Sequence, residues 1–141
     1  MIQRWHSWLG MEKYGRAWHE EDLADELAEY HEEQNVIKKW SEASDVVYTC
    51  TRSRWSGFKL EFPLGRVVYV LGVVYMLPKY TLRWWFFKRA GRKCGADKDV
   101  HEVRNPKKTP KLHQIAKRNN LDPERFQKIC EKQLRYWLLL P

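Results

Sequence analysis

The sequence predicts a mainly α protein, a single domain over residues 1–141 built as a bundle of five or six helices. Three observations lead there. Apolar residues recur at helical spacing, as in Leu23, Leu27 and Tyr30. Helix starts are punctuated by a capping residue followed by proline, at Thr109 with Pro110 and at Asp122 with Pro123. The run Val67 to Leu77, rich enough in Val and Tyr to make a strand, has no second strand-like run to pair with, so it is read as a buried helix. Eight Trp, seven Tyr and five Phe among only seven Gly and six Pro argue for a packed core and against disorder.

Taken in order, Trp5, Trp8 and Leu9 share the face of a first short helix or aromatic lid that stops at Gly10, and a second short stretch surrounds Tyr14 and Trp18. From Glu20 one stripe of Leu23, Leu27 and Tyr30 faces inward, while Asp22, Asp25, Glu26 and Glu29 gather away from it. Asn35 is placed at that helix's end, and Ser41 is expected to cap the next helix. There Glu42, Asp45 and Thr49 share a face and Ala43, Val46, Val47 and Cys50 pack inward, before the helix fades at Ser56 and Gly57. Pro78 is expected to end the Val67 to Leu77 helix. A further helix carries Trp84, Trp85, Phe86 and Phe87 against Arg83, Lys88, Arg89, Arg92 and Lys93. The polar stretch 96–108 reads as a surface loop. Helices over Pro110 to Asn119 and Pro123 to about Leu138 complete the chain. The expected core contains Leu23, Leu27, Val46, Val47, Val68, Val70, Val73, Val74, Phe86, Phe126 and Ile129.

The net charge of +8 conceals a division. Residues 1–50 carry eleven acids and five bases, and residues 51–141 carry seven acids and twenty-one bases, so the two parts stand at −6 and +14. Such asymmetry points to a basic surface for phosphates, nucleic acid or an acidic partner. Three widely spaced cysteines without a CxxC pair indicate neither a disulfide framework nor a zinc ribbon, which suits a reducing, cytoplasmic setting. The first residues lack the apolar core of a secretory signal, and the eleven residues from Val67 to Leu77 are too few to make a transmembrane segment.

The acidic stretch holds the candidate chemistry. Carboxylates three or four apart on a helix point the same way, and two such helices packed antiparallel would make a pocket for magnesium, which prefers hard oxygen ligands. DELAE supplies Asp25, Glu26 and Glu29, and EASD supplies Glu42 and Asp45. The alternative is that both are solvated faces of amphipathic helices. Lys and Arg are absent between Arg16 and Lys38, so nothing within the helix offsets the repulsion among these acids, which favours a bound cation.

DELAE followed by EASD resembles the EExxE and ExxD signature of the MazG-like, all-α nucleoside triphosphate pyrophosphohydrolases, with Asp25 standing where Glu is usual. The resemblance covers residues 20–50. It implies that Asp25, Glu26, Glu29, Glu42 and Asp45 hold magnesium, with Glu26 and Glu42 central to catalysis. It further implies that a nucleotide substrate is split to a nucleoside monophosphate and pyrophosphate, and that the chain assembles as a homo-oligomer. Arg52, Arg54 and Lys59, which follow the second motif, are the candidate phosphate-binding residues.

The alternative function is a non-enzymatic nucleic-acid-binding module in the basic part. The segment from Lys111 to Gln133 resembles a helix-turn-helix, with Ile115, Ala116, Leu121, Phe126 and Ile129 at its packing positions and Asn120 in place of the turn glycine. Arg125, Gln127 and Lys128 would then face a major groove, with Lys111, Lys117 and Arg118 near phosphates. The competing reading is a plain helical hairpin that closes the core with help from Trp137 and Leu138 to Leu140. Trp84 or Trp85 could likewise stack bases, or be core. The absence of HExxH spacing speaks against a zinc enzyme, and the absence of GxSxG, P-loop and GxGxxG strings removes support for the corresponding chemistries.

Overall fold

The computed structural model describes residues 1–136; Trp137 and the Leu138 to Leu140 run lie outside them. Helix accounts for 71% of the described residues, among which there are six helices and no strand. They are α1 (Ile2–Leu9), α2 (Arg16–Glu32), α3 (Val36–Trp55), α4 (Arg66–Cys94), α5 (Thr109–Arg118) and α6 (Pro123–Leu134). The mainly α expectation is met. The chain gathers into two compact units, Met1–Pro78 and Lys79–Pro141, and α4 carries it from the first into the second. Among the described residues, no helix is long and apolar enough to cross a membrane.

In the first unit α2 and α3 form an antiparallel hairpin, the arrangement that a three-residue connection between two packed helices imposes. Asn35 begins α3 instead of ending α2: its side-chain oxygen accepts from the amides of Ile37 and Lys38, at 3.0 and 3.1 Å. Ser41 therefore lies inside α3, where its carbonyl accepts from the Ser44 hydroxyl. Ala43, Val46, Val47 and Cys50 are buried, as their spacing requires. Helix α1 packs on α3 through His6 and Leu9, both fully buried; of the face expected from spacing, Leu9 is inward and Trp5 is partly buried against Tyr48, while Trp8 is half exposed. A side chain at Gly72 would meet Val47 at 2.7 Å and the Ala43 carbonyl at 3.4 Å, so glycine is what lets α4 approach α3 there.

Two expectations for α4 fail. Pro78 does not end the helix, which runs on to Cys94. A proline lacks its own N–H and its ring crowds the carbonyl four residues back, which weakens the helix at that point, but the remaining bonds on either side carry it through. Val70 and Val74 are exposed, with Val67 and Leu71 beside them, while Gly72 and Met76 face inward. Apolar residues stand on every side of this segment, so its sequence holds no asymmetry from which to choose the buried face.

The second unit has its own apolar core of Phe86, Phe87, Ala90, Cys94, Val100, Leu112, Ile115, Ala116, Phe126 and Cys130. Gln133 donates to the Phe86 carbonyl at 2.9 Å and ties α6 to α4 within it. Segment 96–108 is less superficial than its polarity implies, because Val100, Glu102, Val103 and Pro106 are buried. Glu102 makes this possible: its carboxylate accepts from the amides of Val103 and Arg104 and from the Arg118 guanidinium at 2.8 Å. Helix α5 starts one residue earlier than expected, with Lys108 at the cap position and Thr109 already helical. Asp122 does cap α6, accepting from the Arg125 amide at 2.7 Å.

Candidate metal centre

The α2–α3 hairpin sets a register that brings polar residues together in four successive layers. Asp22 is bonded to Thr49, Glu26 and Glu29 meet Glu42, Glu26 feels the charge of Asp45, and His19 that of Arg52. These positions recur at intervals of three and four on both helices, the interval that keeps side chains on one face.

At the acidic end, Glu26, Glu29 and Glu42 each offer a carboxylate oxygen, and the three oxygens lie within 4.8 Å of one another. An octahedral magnesium ion with bonds of about 2.0 to 2.1 Å holds adjacent ligands about 3 Å apart and opposite ones about 4.2 Å apart. The limit of 4.8 Å on the trio's spacing is of the same order as these separations. Glu26 is the most perturbed of the three. Burial, and then the charges of Asp45, Asp22, Glu29 and Glu42, raise its pKa to about 8, so it keeps its proton at neutral pH. Four carboxylates crowding a fifth is a constellation that a divalent cation would relieve, and the residues present fit such an ion.

Of the five predicted ligands, Glu26, Glu29 and Glu42 come together, and Asp45 acts on Glu26 more strongly than any other charge. Asp25 stands apart. It is exposed and sits about 100° round α2 from Glu26, because consecutive helical residues cannot share a face. Asp22, one turn before Glu26, is the acid on the inward face, and it accepts a 2.6 Å hydrogen bond from the Thr49 hydroxyl. The motif pattern passes over Asp22, although its spacing to Glu26 and Glu29 carried the signal.

The other end of the seam is cationic and aromatic. Arg52, a predicted phosphate ligand, is buried; its Nη2 donates to the Glu12 carbonyl at 2.8 Å, and its guanidinium lies 4.9 Å from the Tyr14 ring and 5.1 Å from the Trp18 ring. Its place is in the packing. Arg54 and Lys59 are exposed. His19 is fully buried, and neither ring nitrogen makes a well-formed hydrogen bond. Burial, then the nearby Arg52 charge, lower its pKa, against smaller opposing effects of Asp22 and the Tyr14 backbone. His6 is deeper still, with a pKa lowered to about 3 by burial and then by Arg52. Its Nε2 lies 3.0 Å from the Thr51 hydroxyl, which is also within hydrogen-bond reach of the Tyr48 carbonyl.

The predicted nucleic-acid contacts also have definite places. Lys111, Lys117, Arg125 and Lys128 are exposed. Arg118 is bound to Glu102, and Gln127 is held between His113 at 2.6 Å and Glu131 at 2.7 Å. Trp84 is buried and donates to His101, whereas Trp85 is half exposed with Lys88 near both rings. Burial pushes the Cys50 and Cys130 thiols up to about 11 and about 12, which disfavours the nucleophilic thiolate.

No protein-family model matches this chain, and no curated protein or solved structure does either.

Proposed function

We propose that the chain is a magnesium-dependent hydrolase of nucleoside triphosphates, releasing pyrophosphate and a nucleoside monophosphate, as the resemblance of its two acidic motifs implies. The observation that carries this reading is the meeting of Glu26, Glu29 and Glu42 oxygens within 4.8 Å across two helices. Those three residues, with Asp45 beside them, would hold the ion, and Asp22 is kept in place by Thr49. Bound magnesium supplies charge to neutralise the triphosphate and to lower the pKa of a bound water. Hydrolysis joins a water oxygen to the α-phosphorus, breaks the bond to the bridging oxygen, and sends the pyrophosphate away on the cleaved side. Glu26 would hold the ion as a carboxylate, and of the three predicted phosphate ligands Arg54 and Lys59 are the exposed ones.

The test is a panel of ribo- and deoxyribonucleoside triphosphates incubated with the full chain and magnesium, with pyrophosphate measured directly. At least one nucleotide releases pyrophosphate, and Glu42→Gln lowers the rate by about 100-fold or more, the scale of losing a group that stabilises transition-state charge. Absence of release across the panel overturns the reading.

A further inference from the structure

We propose that the outer face of α6 is a docking site for duplex DNA, a function of the second unit that is independent of the hydrolysis proposed above. The helix-turn-helix likeness at this place has a geometric counterpart. Helix α5 ends with Asn120 in the left-handed region, φ 54°; the Asn120 amide bonds to the Lys117 carbonyl and the Leu121 amide to the Ala116 carbonyl at 2.9 Å. That pair of bonds stops one helix and redirects the chain in two residues, with Leu121 tucked beneath. Asp122 then caps α6, and Phe126 and Cys130 anchor its inner side in the apolar core. The outer side is left as a rigid, supported surface.

Its charge is sorted. Arg125, Lys128 and Lys132 lie at spacings of three and four on one side of α6, all exposed, and line a surface hollow with Ile129. Asp122 and Glu124 stand at the N-terminal end of that hollow, and Glu131 lies on the flank, where it accepts from Gln127. The unit as a whole holds seventeen Lys and Arg against six Asp and Glu. Among the described residues, Asp99 pairs with Lys88 and Arg92, and Glu102 with Arg104 and Arg118. The three bases of α6 take no part in those ion pairs, which leaves them available to a polyanion.

The form of the polyanion follows from shape. Twelve helical residues span about 18 Å, and the major groove of B-form DNA, about 12 Å wide, admits a helix. The major groove of duplex RNA is too narrow for one. Single strands need open aromatic platforms, and here Trp84 is buried and Trp85 carries Lys88 near its ring. Because Gln127 is already held by His113 and Glu131, binding reads phosphates more than bases.

Fluorescence anisotropy of a labelled DNA duplex with the full chain, in EDTA and over a series of salt concentrations, tests this. Wild type binds, and R125E/K128E/K132E weakens binding at least tenfold and lowers the salt slope by about three, near 0.9 for each phosphate no longer neutralised. A control with the same charge change in the first unit, R4E/K38E/K39E, retains both affinity and slope, and Glu124→Gln tightens binding. Helical content by circular dichroism accompanies each variant. Should the triple variant lose it, the single R125A, K128A and K132A changes each lower the slope by about one. No binding, equal loss in the control, or equal or tighter binding of duplex RNA, single-stranded DNA or polyglutamate each overturns the proposal.

Discussion

Between α2 and α3 the first unit packs carboxylates, a histidine and an arginine, whereas around Phe86 the second packs phenyl rings and aliphatic side chains. A seam of like charges weakens the helix pair that holds it, and α3 is kept in place from its other sides by Leu9, Val46, Val47 and the close approach at Gly72. The second unit keeps its apolar core free of such a seam: Glu102, Lys79 and Arg83 are buried, but most of its charges lie on the surface, where water screens them. Polar and apolar packing thus alternate by layer in the first unit, whereas in the second the apolar core stands apart from most of the charge.

That contrast can be broken most directly at Phe126. Phe126→Ala opens a cavity among Phe87, Ile115 and Cys130 and lowers stability by about 3–5 kcal/mol, measured by denaturant unfolding. Gly91→Ala places a methyl against Val100, and Gly72→Ala places one against Val47; each costs about 1–3 kcal/mol by overpacking, seen in thermal unfolding.

Acidity sharpens it next, since the buried titratable groups with the largest shifts toward neutrality in the first unit act in opposite directions. Glu26 has a raised pKa, so its stabilising contribution is complete below about 4.5 and is lost as pH rises through about 8. His6 has a depressed pKa, so its contribution is complete above 6.5 and is lost as pH falls toward about 3. In metal-free protein, stability therefore declines between pH 6.5 and 8. Glu26→Gln removes that decline, and His6→Gln flattens the acid limb, both read from unfolding free energy against pH. The smallest effect belongs to the hairpin cap. Asn35→Ala lowers stability by about 1 kcal/mol, with helical content by circular dichroism as a second readout.

Much of this was legible in the residues. The inward positions Ala43, Val46, Val47 and Cys50, and the apolar anchors Phe86 and Phe126, followed from periodicity, and Asp122 with Pro123 marked the start of α6. Glu26, Glu29 and Glu42 were legible because helical spacing fixes which acids share a face. Asp22 was overlooked in favour of Asp25 because a motif read as a string ignores the 100° step between neighbours. Asn35 could end one helix or begin the next, since its side chain suits both positions, and only the direction of its hydrogen bonds decides.

By itself the sequence determined the helical class, the inward faces of α3, α5 and α6 and the acidic character of the candidate centre, since these depend on spacing along one helix. Tertiary structure decided the rest. It set the register that puts Glu29 by Glu42 and Asp22 by Thr49, took Arg52 into the packing, left Val70 and Val74 exposed, and carried α4 through Pro78. The reason is that which residues of one helix meet which residues of another depends on offset and rotation between them, and neither quantity is written in the period of either helix.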